Sequence, residues 1–217
     1  HWIIDRDESC TCTTNSCPTD GSCVPSVNVV VLSFLHPLQV LEMTSPENGV
    51  PENMKSWMGN YFKDQGITVM MSLGGQTYVG YWDQALTTNA TQLGLNAAAI
   101  ARYFDVGMEI DYERNDMDGN GYLDRLEEFI AAYRSEHPKG DWKTTGLNTN
   151  PPSLLTLDLA AGGRYLQDLN RHATIEWIDP VPPKTPVLDW ANAMVHRSSG
   201  DPGNWEEHIN GMQTYNP

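Results

Sequence analysis

The hydropathy of the chain alternates between short apolar runs and segments whose apolar residues recur with a helical period. Val27 to Phe34 (VNVVVLSF), Ile67 to Leu73 (ITVMMSL), Leu154 to Ala160 (LLTLDLA) and Val187 to Val195 (VLDWANAMV) are dense in apolar residues. Runs of this length and kind read as strands covered on both faces. Within Pro51–Gln65, Met54, Trp57, Met58, Tyr61 and Phe62 share one helical face, and Gly66 closes the segment. Leu93, Ala97, Ile100 and Phe104 repeat the pattern over Thr91–Phe104, after a loop carrying Tyr78, Tyr81 and Trp82. Leu123, Leu126, Ile130 and Tyr133 mark a further helix, limited by Pro138. His1–Asp5 reads as a short first strand, and short helices are expected near Gly163–Asn170 and Asn204–Met212.

Strands alternating with helices at intervals of about forty residues predict parallel βα units. Right-handed crossovers then leave a closed TIM-type (β/α) barrel or an open doubly wound sheet. No Gly-x-Gly-x-x-Gly follows a strand, so nothing points to a dinucleotide site. A single α/β domain over residues 1–217 accounts for the pattern.

The formal charge of -15 argues against nucleic acid or an anionic membrane surface as partner. No apolar run is long enough to span a bilayer. The chain opens on His1, as expected of a processed terminus whose signal peptide has gone. Cys10, Cys12, Cys17 and Cys23 cluster in a polar loop at 10–23. An even, tight cluster reads as two disulfides of an oxidising compartment, with connectivity open; zinc is the alternative, but the spacing lacks paired C-x2-C knuckles. Asn89-Ala90-Thr91 is a glycosylation sequon. Together these features point to an extracellular, secreted glycoprotein.

The chemistry concentrates in Asp105–Glu127. If Val106–Glu113 is a strand, Gly107, Glu109, Asp111 and Glu113 share one face, and Val106, Met108, Ile110 and Tyr112 the other. Three carboxylates on one face repel each other and resist desolvation, a costly arrangement for a purely structural strand. The alternative is a strand end already in water, its acids solvated. Beyond it, Asp116-Met117-Asp118-Gly119-Asn120-Gly121-Tyr122-Leu123-Asp124-Arg125-Leu126-Glu127 has the ligand spacing of an EF-hand loop. Asp116, Asp118, Asn120, Asp124 and Glu127 supply side-chain oxygens, Tyr122 a carbonyl, and Gly121 the turn, so one structural Ca2+ is expected over residues 116–127. The alternative is an acidic turn without an ion.

This stretch and two others resemble the family 18 glycoside hydrolases, the chitinases and endo-β-N-acetylglucosaminidases. The family's fourth-strand Asp-Gly-x-Asp-x-Asp-x-Glu meets Val106-Gly107-Met108-Glu109-Ile110-Asp111-Tyr112-Glu113. Its Ser-x-Gly-Gly meets Ser72-Leu73-Gly74-Gly75. Its sixth-strand Asp-Trp-x-Asn-x-Met-x-Tyr-Asp meets Asp189-Trp190-Ala191-Asn192-Ala193-Met194-Val195-His196-Arg197. The resemblance implies a TIM-type barrel and a secreted hydrolase of β-1,4-linked N-acetylglucosamine glycans, in chitin or the N-glycan core. It implies Glu113 as general acid, with the substrate's own 2-acetamido oxygen as nucleophile. Asp111 would orient that acetamido group, Glu109 would tune Asp111, and His196 would stand where the family has a tyrosine. Tyr78, Tyr81, Trp82, Trp190 and Met194 are candidates to contact sugar, a core role being open for each aromatic ring.

The sequence departs from the family at Val106 for Asp, Glu109 for Asp, His196 for Tyr and Arg197 for Asp. Those departures keep open a second reading, an inactive chitinase-like protein that binds glycans as a lectin. The amino-terminal His1 could alternatively hold copper, as in lytic polysaccharide monooxygenases, but those are β-sandwiches. Counting His1–Asp5, the pattern supplies six strands against the family's eight. The expectation is an incomplete barrel, truncated or processed, with the remaining strands in a second chain or a missing C-terminal segment.

Overall fold

A computed structural model of the chain describes residues 27–58, 62–114, 119–160 and 187–194. Five strands, β1 (Val29–Leu35), β2 (Thr68–Gly74), β3 (Gly107–Asp111), β4 (Leu155–Ala160) and β5 (Trp190–Met194), form one sheet. Every pairing is parallel and the order is β1-β2-β3-β4-β5. A doubly wound sheet reverses its strand order part-way. Strictly sequential neighbours are instead the winding of a barrel wall, so of the two architectures open from sequence the described residues form a partial (β/α) barrel.

The longer helices, α1 (Pro37–Glu42), α2 (Glu52–Met58), α3 (Val79–Phe104) and α4 (Tyr122–Glu136), pack on the outer face of this wall. The short α5 (Trp142–Thr145) lies against its inner side through Trp142. The outward residues Val69, Met71 and Leu73 of β2, Val106, Met108, Ile110 and Tyr112 around β3, and Leu155 and Leu157 of β4 enter one core. From the helices it takes Met54, Leu93, Ala97, Ile100, Leu126, Phe129 and Tyr133. α3 and α4 approach closely at Gly94, where an added Cβ would sit 2.3 Å from the Phe129 carbonyl oxygen.

Two helical features differ from expectation. The segment read as a loop carrying Tyr78, Tyr81 and Trp82 is helical from Val79, and α3 runs on to Phe104 with a break at Asn89 (φ −167°, ψ 87°). The Asn89 Oδ1 accepts the Gln92 N–H at 2.9 Å, so Asn89 caps the second half of α3, the part legible as Thr91–Phe104. The second is α1, unforeseen because Pro37 read as a loop residue; here Pro lies in the first turn and His36 Nδ1 accepts from Gln39 N at 3.4 Å. Asn96 on α3 secures α1 by donating to the Val40 and Leu41 carbonyls at 2.8 and 2.9 Å. The helix expected over Pro51–Gln65 comprises α2 and a 3-10 turn, Lys63–Gln65, with residues 59–61 undescribed. The expected elements at His1–Asp5, Gly163–Asn170 and Asn204–Met212 lie outside the described residues, as do all four cysteines.

β5 is fixed to β4 by a buried polar latch. Arg134 of α4 donates to the carbonyls of Val187 (2.7 Å), Ser153 (2.6 Å) and His137 (3.3 Å), and to Asp189 Oδ2 at 2.9 Å. The same Asp189 oxygen accepts the Leu155 N–H at 2.8 Å. The first Asp of the motif Asp189-Trp190-Ala191-Asn192 is therefore a structural anchor that sets where Asn192 stands.

Candidate active site

The inner face of the wall carries the polar residues. The register sets Ser72 beside Glu109 and Gly74 beside Asp111, Glu109 beside Thr156, and Asp158 beside Asn192. Glu109 and Asp111 are 4% and 3% exposed, which places two of the three inward acids inside the protein and removes the solvated-end alternative for them. Glu113, beyond the end of β3, is half-buried and close enough to Asp111 to raise its proton affinity.

The end of β3 is built around the Asp111 carbonyl. It accepts the Gly75 N–H at 2.8 Å and the Trp82 indole N–H at 3.1 Å. Gly74 has a φ of +115°, and a Cβ there would lie 2.1 Å from that carbonyl and 2.0 Å from Trp82 Nε1. Only glycine fits, which is the physical content of the Ser-x-Gly-Gly pattern. Beyond the strand, Asp83 of α3 accepts from the Tyr112 hydroxyl and pairs with Arg114, whose guanidinium lies 3.9 Å from the centroid of the Tyr122 ring. Residues 112 and 114 are thus held on either side of Glu113.

Burial raises Glu109 above its ordinary value, opposed by the nearby polar groups of Ser72, Asp158 and Asn192. The Asn192 bond is direct, Nδ2 to Oε1 at 2.7 Å. The Ser72 hydroxyl lies close enough to the carboxyl to lower its pKa, without a well-formed hydrogen bond. Asp111 is pushed up to about 7, chiefly by burial and then by the charges of Glu113 and Glu109. Asp158 rises to about 8 from burial and the charges of Glu109 and Asp111. Asp158 escaped the sequence reading: within LLTLDLA it looks like one polar interruption of a buried strand. Its signal was the alternation Thr156, Asp158, which puts it on the same face as the acids of β3.

These shifts predict a pH dependence of stability. Groups whose folded pKa exceeds the unfolded value stabilise fully below the unfolded value, and that stability is lost as pH rises through the folded one. For Asp111 and Asp158 the loss begins above the ordinary carboxylate range and levels off near pH 7 and 8 respectively, so its last part falls in the neutral range. Burial lowers His137, whose ring contacts the Ala98 carbonyl at 2.9 Å, so its effect has the opposite sign and operates below its ordinary value. Between pH 6.5 and 8.5 the carboxyl cluster therefore governs. Denaturant unfolding should show stability falling over that range by on the order of 1–2 kcal/mol, discounted for coupling and screening. Glu109→Gln should flatten the slope; a stability that rises over the window contradicts the assignment.

The remaining candidates separate. Tyr78 and Tyr81 lie at the C-terminal end of the wall in an aromatic group with Phe34 and His36, ring centroids 4.4 to 6.4 Å apart. Phe34 and Tyr81 are 38% and 44% exposed, so this group can meet a ligand. Phe34 and His36 went unnoticed because the apolar strand run hides a register shift between Ser33 and Leu35. The structure corrects two expectations. Trp82 is wholly buried, stacked on Tyr112 at 5.3 Å, and presents no face to a sugar. Trp190 pairs with Thr156, one inward layer below Asn192, packs edge-on against Trp142 at 5.3 Å, and donates to Asn192 Oδ1 at 3.0 Å. Level with Glu109 across Thr156, it lines with Asn192, Val29, Val31, Met70 and Leu147 a cavity of about 390 Å³ that extends toward the N-terminal end of the wall, away from the mouth.

Met194 shares the inner face of β5, half-buried. His196 lies outside the described residues, as do Asp116 and Asp118. Of the remaining calcium-loop residues, Asn120 and Gly121 take left-handed conformations (φ 62° and 69°), and Asp124 and Glu127 are exposed on the first turns of α4. Among the described residues no group of three or more His, Cys, Asp or Glu side chains is arranged to hold a metal.

No family model and no curated protein matches the chain. Solved structures do. A family 18 chitinase from Pseudoalteromonas aurantia superposes over 87% of this chain and 67% of its own, with a TM-score of 0.57 at 16% identity. A chitinase from Rhizomucor miehei matches over 62% of this chain and 41% of its own (TM-score 0.46, 17% identity). A mutant family 18 chitinase from Cycas revoluta, solved in complex with (GlcNAc)4, matches over 78% and 48% (TM-score 0.47, 17% identity). The chain thus spans between 41% and 67% of the length of these chitinases. The sequential parallel wall, the acids along its third strand and the superposition on the Pseudoalteromonas enzyme agree: the chain has the α/β fold of the family 18 glycoside hydrolases, present as a partial (β/α) barrel.

Proposed function

We propose that the protein is a secreted family 18-type glycosidase that cleaves β-1,4-linked N-acetylglucosamine glycans with retention, using the substrate's acetamido group. The observation that carries this reading is the row of inner-face acids on β3, Glu109 and Asp111 buried and Glu113 half-buried just beyond the strand end, with burial and the neighbouring charges of Glu113 and Glu109 pushing Asp111 up to about 7. Glu113 gives its proton to the glycosidic oxygen as the C1–O bond breaks, and the 2-acetamido oxygen bonds to C1 to form an oxazolinium ion. Glu113, now a carboxylate, takes a proton from the water that opens the ion. Asp111 orients the acetamido N–H and offsets the positive charge that develops there. Phe34, His36, Tyr78 and Tyr81 offer ring surfaces for sugar faces at the rim. The test is incubation with chitotetraose and with an N-glycan: new reducing ends, β-anomeric in the first turnovers, are expected. Saturable binding of both without new reducing ends would replace this reading with the lectin one.

The same proposal includes one Ca2+ held by Asp116, Asp118, Asn120, Asp124, Glu127 and the Tyr122 carbonyl. Supporting it are the left-handed turn at Asn120 and Gly121 and the Asp124 carboxylate, whose Oδ2 would lie 3.7 Å from a Cβ on Gly121. The ion would brace the segment that leaves Glu113, through Tyr122 and the Arg114 stacked on it. Calorimetry on chelator-treated protein should detect one calcium. Saturation at about 100 times Kd should stabilise by about 2.7 kcal/mol; absence of any binding heat refutes the site. Two disulfides among Cys10, Cys12, Cys17 and Cys23 and a glycan on Asn89, exposed at the kink of α3, belong to the same secreted reading.

A further inference from the structure

We propose that Asp158 is a positioning residue of the candidate site: it shares one proton with Glu109, and this pair keeps Asp111 turned toward Glu113. The inference rests on the glycosidase reading for its consequence in catalysis, but not for the pair itself.

Geometry brings the two carboxyls together. Glu109 stands level with Thr156 on β4, and Asp158 lies two residues further along the same inner face, beside Asn192 of β5. Asn192, level with Asp158 in the register, donates from Nδ2 to Glu109 Oε1 at 2.7 Å. The Glu109 carboxyl thus reaches upward across that offset to the level of Asp158, close enough for each acid to change the other's proton affinity. The extra methylene of Glu109, a departure when set against the family pattern, provides the length to span two strands. Asn192 is fixed in turn by the Trp190 indole N–H on its Oδ1, so its amide group can only donate toward the acids. The second carboxyl on β4 and the longer acid on β3 therefore make one arrangement.

Two buried carboxyls this close are compatible only if one carries a proton. Burial raises both acids, and the charges of Glu109 and Asp111 push Asp158 up to about 8, so we place the shared proton on Asp158 with Glu109 as its acceptor. The groups that face the pair are Asp111 and Glu113 along β3, Ser72 from β2, Thr156 on β4 and Asn192 from β5. Among the described residues, those that set the proton affinity of Asp158 are Glu109, Asp111 and Asn192. With its charge already satisfied by Asp158 and Asn192, Glu109 does not compete for the proton of Asp111. Asp111 and Glu113 therefore keep a proton between them, which Glu113 delivers to the glycosidic oxygen, leaving Asp111 ionised.

The experiment is a carboxyl-carbon NMR titration of the full chain with labelled Asp and Glu side chains, assigned by single substitutions. In the wild type the Asp158 carboxyl should stay protonated through pH 7. In Glu109→Gln its proton affinity should fall by about tenfold or more, since both a charge and an acceptor are lost. An Asp158 that titrates in the ordinary carboxylate range in the wild type overturns the proposal, whether or not the protein hydrolyses glycans. With activity present, Asp158→Ala should lower kcat by about tenfold and change KM by less than about threefold, as for a hydrogen bond that matters in the transition state. Asp158→Asn, which keeps a donor toward Glu109, should recover most of that loss. An alanine variant with unaltered kcat contradicts the positioning role. If the wild type yields no product, the glycosidase reading fails while the titration still decides the pair.

Discussion

Replacing Arg134 by Met should destabilise the protein by about 3–5 kcal/mol, the range for breaking one side of a buried ion pair. The argument rests on what would be left behind. Asp189 is 1% exposed on its side chain, and its Oδ1 has no hydrogen-bond partner among the described residues. Without Arg134, its charge would lose its bonded cation and keep the Leu155 N–H and the field of Lys139, and the carbonyls of Val187 and Ser153 would lose donors at 2.7 and 2.6 Å. These contacts tie α4, β4 and β5 together, so the loss should loosen the strand that carries Asn192 as well as lower global stability. Denaturant midpoints for Arg134→Met, Asp189→Leu and the double variant measure it. The double variant should be more stable than Arg134→Met alone, because it removes the orphaned charge. A single-variant loss below about 1 kcal/mol would mean that the latch contributes no more than a surface pair.

Much of the wall was legible because parallel strands buried on both faces leave dense apolar runs, and β2 and β3 are buried along their whole length. Glu109, Asp111 and Glu113 were legible for the opposite reason: period-two acids are conspicuous in such a run. The motif at Asp189 had the right place and a different meaning. Its Asp is an anchor, its Trp190 packs on Trp142 at the level of Glu109, and its Asn192 reaches Glu109. Local pattern assigns a residue to a face, but not to a layer, and layer is set by register between strands far apart in sequence. Asp158 was missed on the same ground, since its meaning comes from Glu109 on another strand, 49 residues earlier. Trp82 was misplaced because a Tyr- and Trp-rich stretch after two glycines resembles a binding loop, whereas it begins a helix whose ring is wholly buried.

The second large effect is catalytic. Glu113→Gln preserves shape but removes the proton that the leaving oxygen requires. General acid–base catalysis contributes about 10²–10⁴-fold, so kcat on chitotetraose should fall by that factor. Binding should persist, because the exposed aromatic group of Phe34 and Tyr81 does not depend on that proton. Asp111→Asn should also lower kcat strongly, since an amide cannot carry the negative charge that offsets the oxazolinium.

The most direct measurement is therefore the release of reducing ends from chitotetraose by wild type and Glu113→Gln, side by side, with calorimetric binding of the same oligosaccharide to both. The account predicts hydrolysis by the wild type, a loss of at least about 10²-fold in the variant, and similar affinity in the two. Equal turnover by both proteins would contradict it by removing Glu113 as the acid, and binding without turnover by either would leave a glycan-binding protein in place of an enzyme.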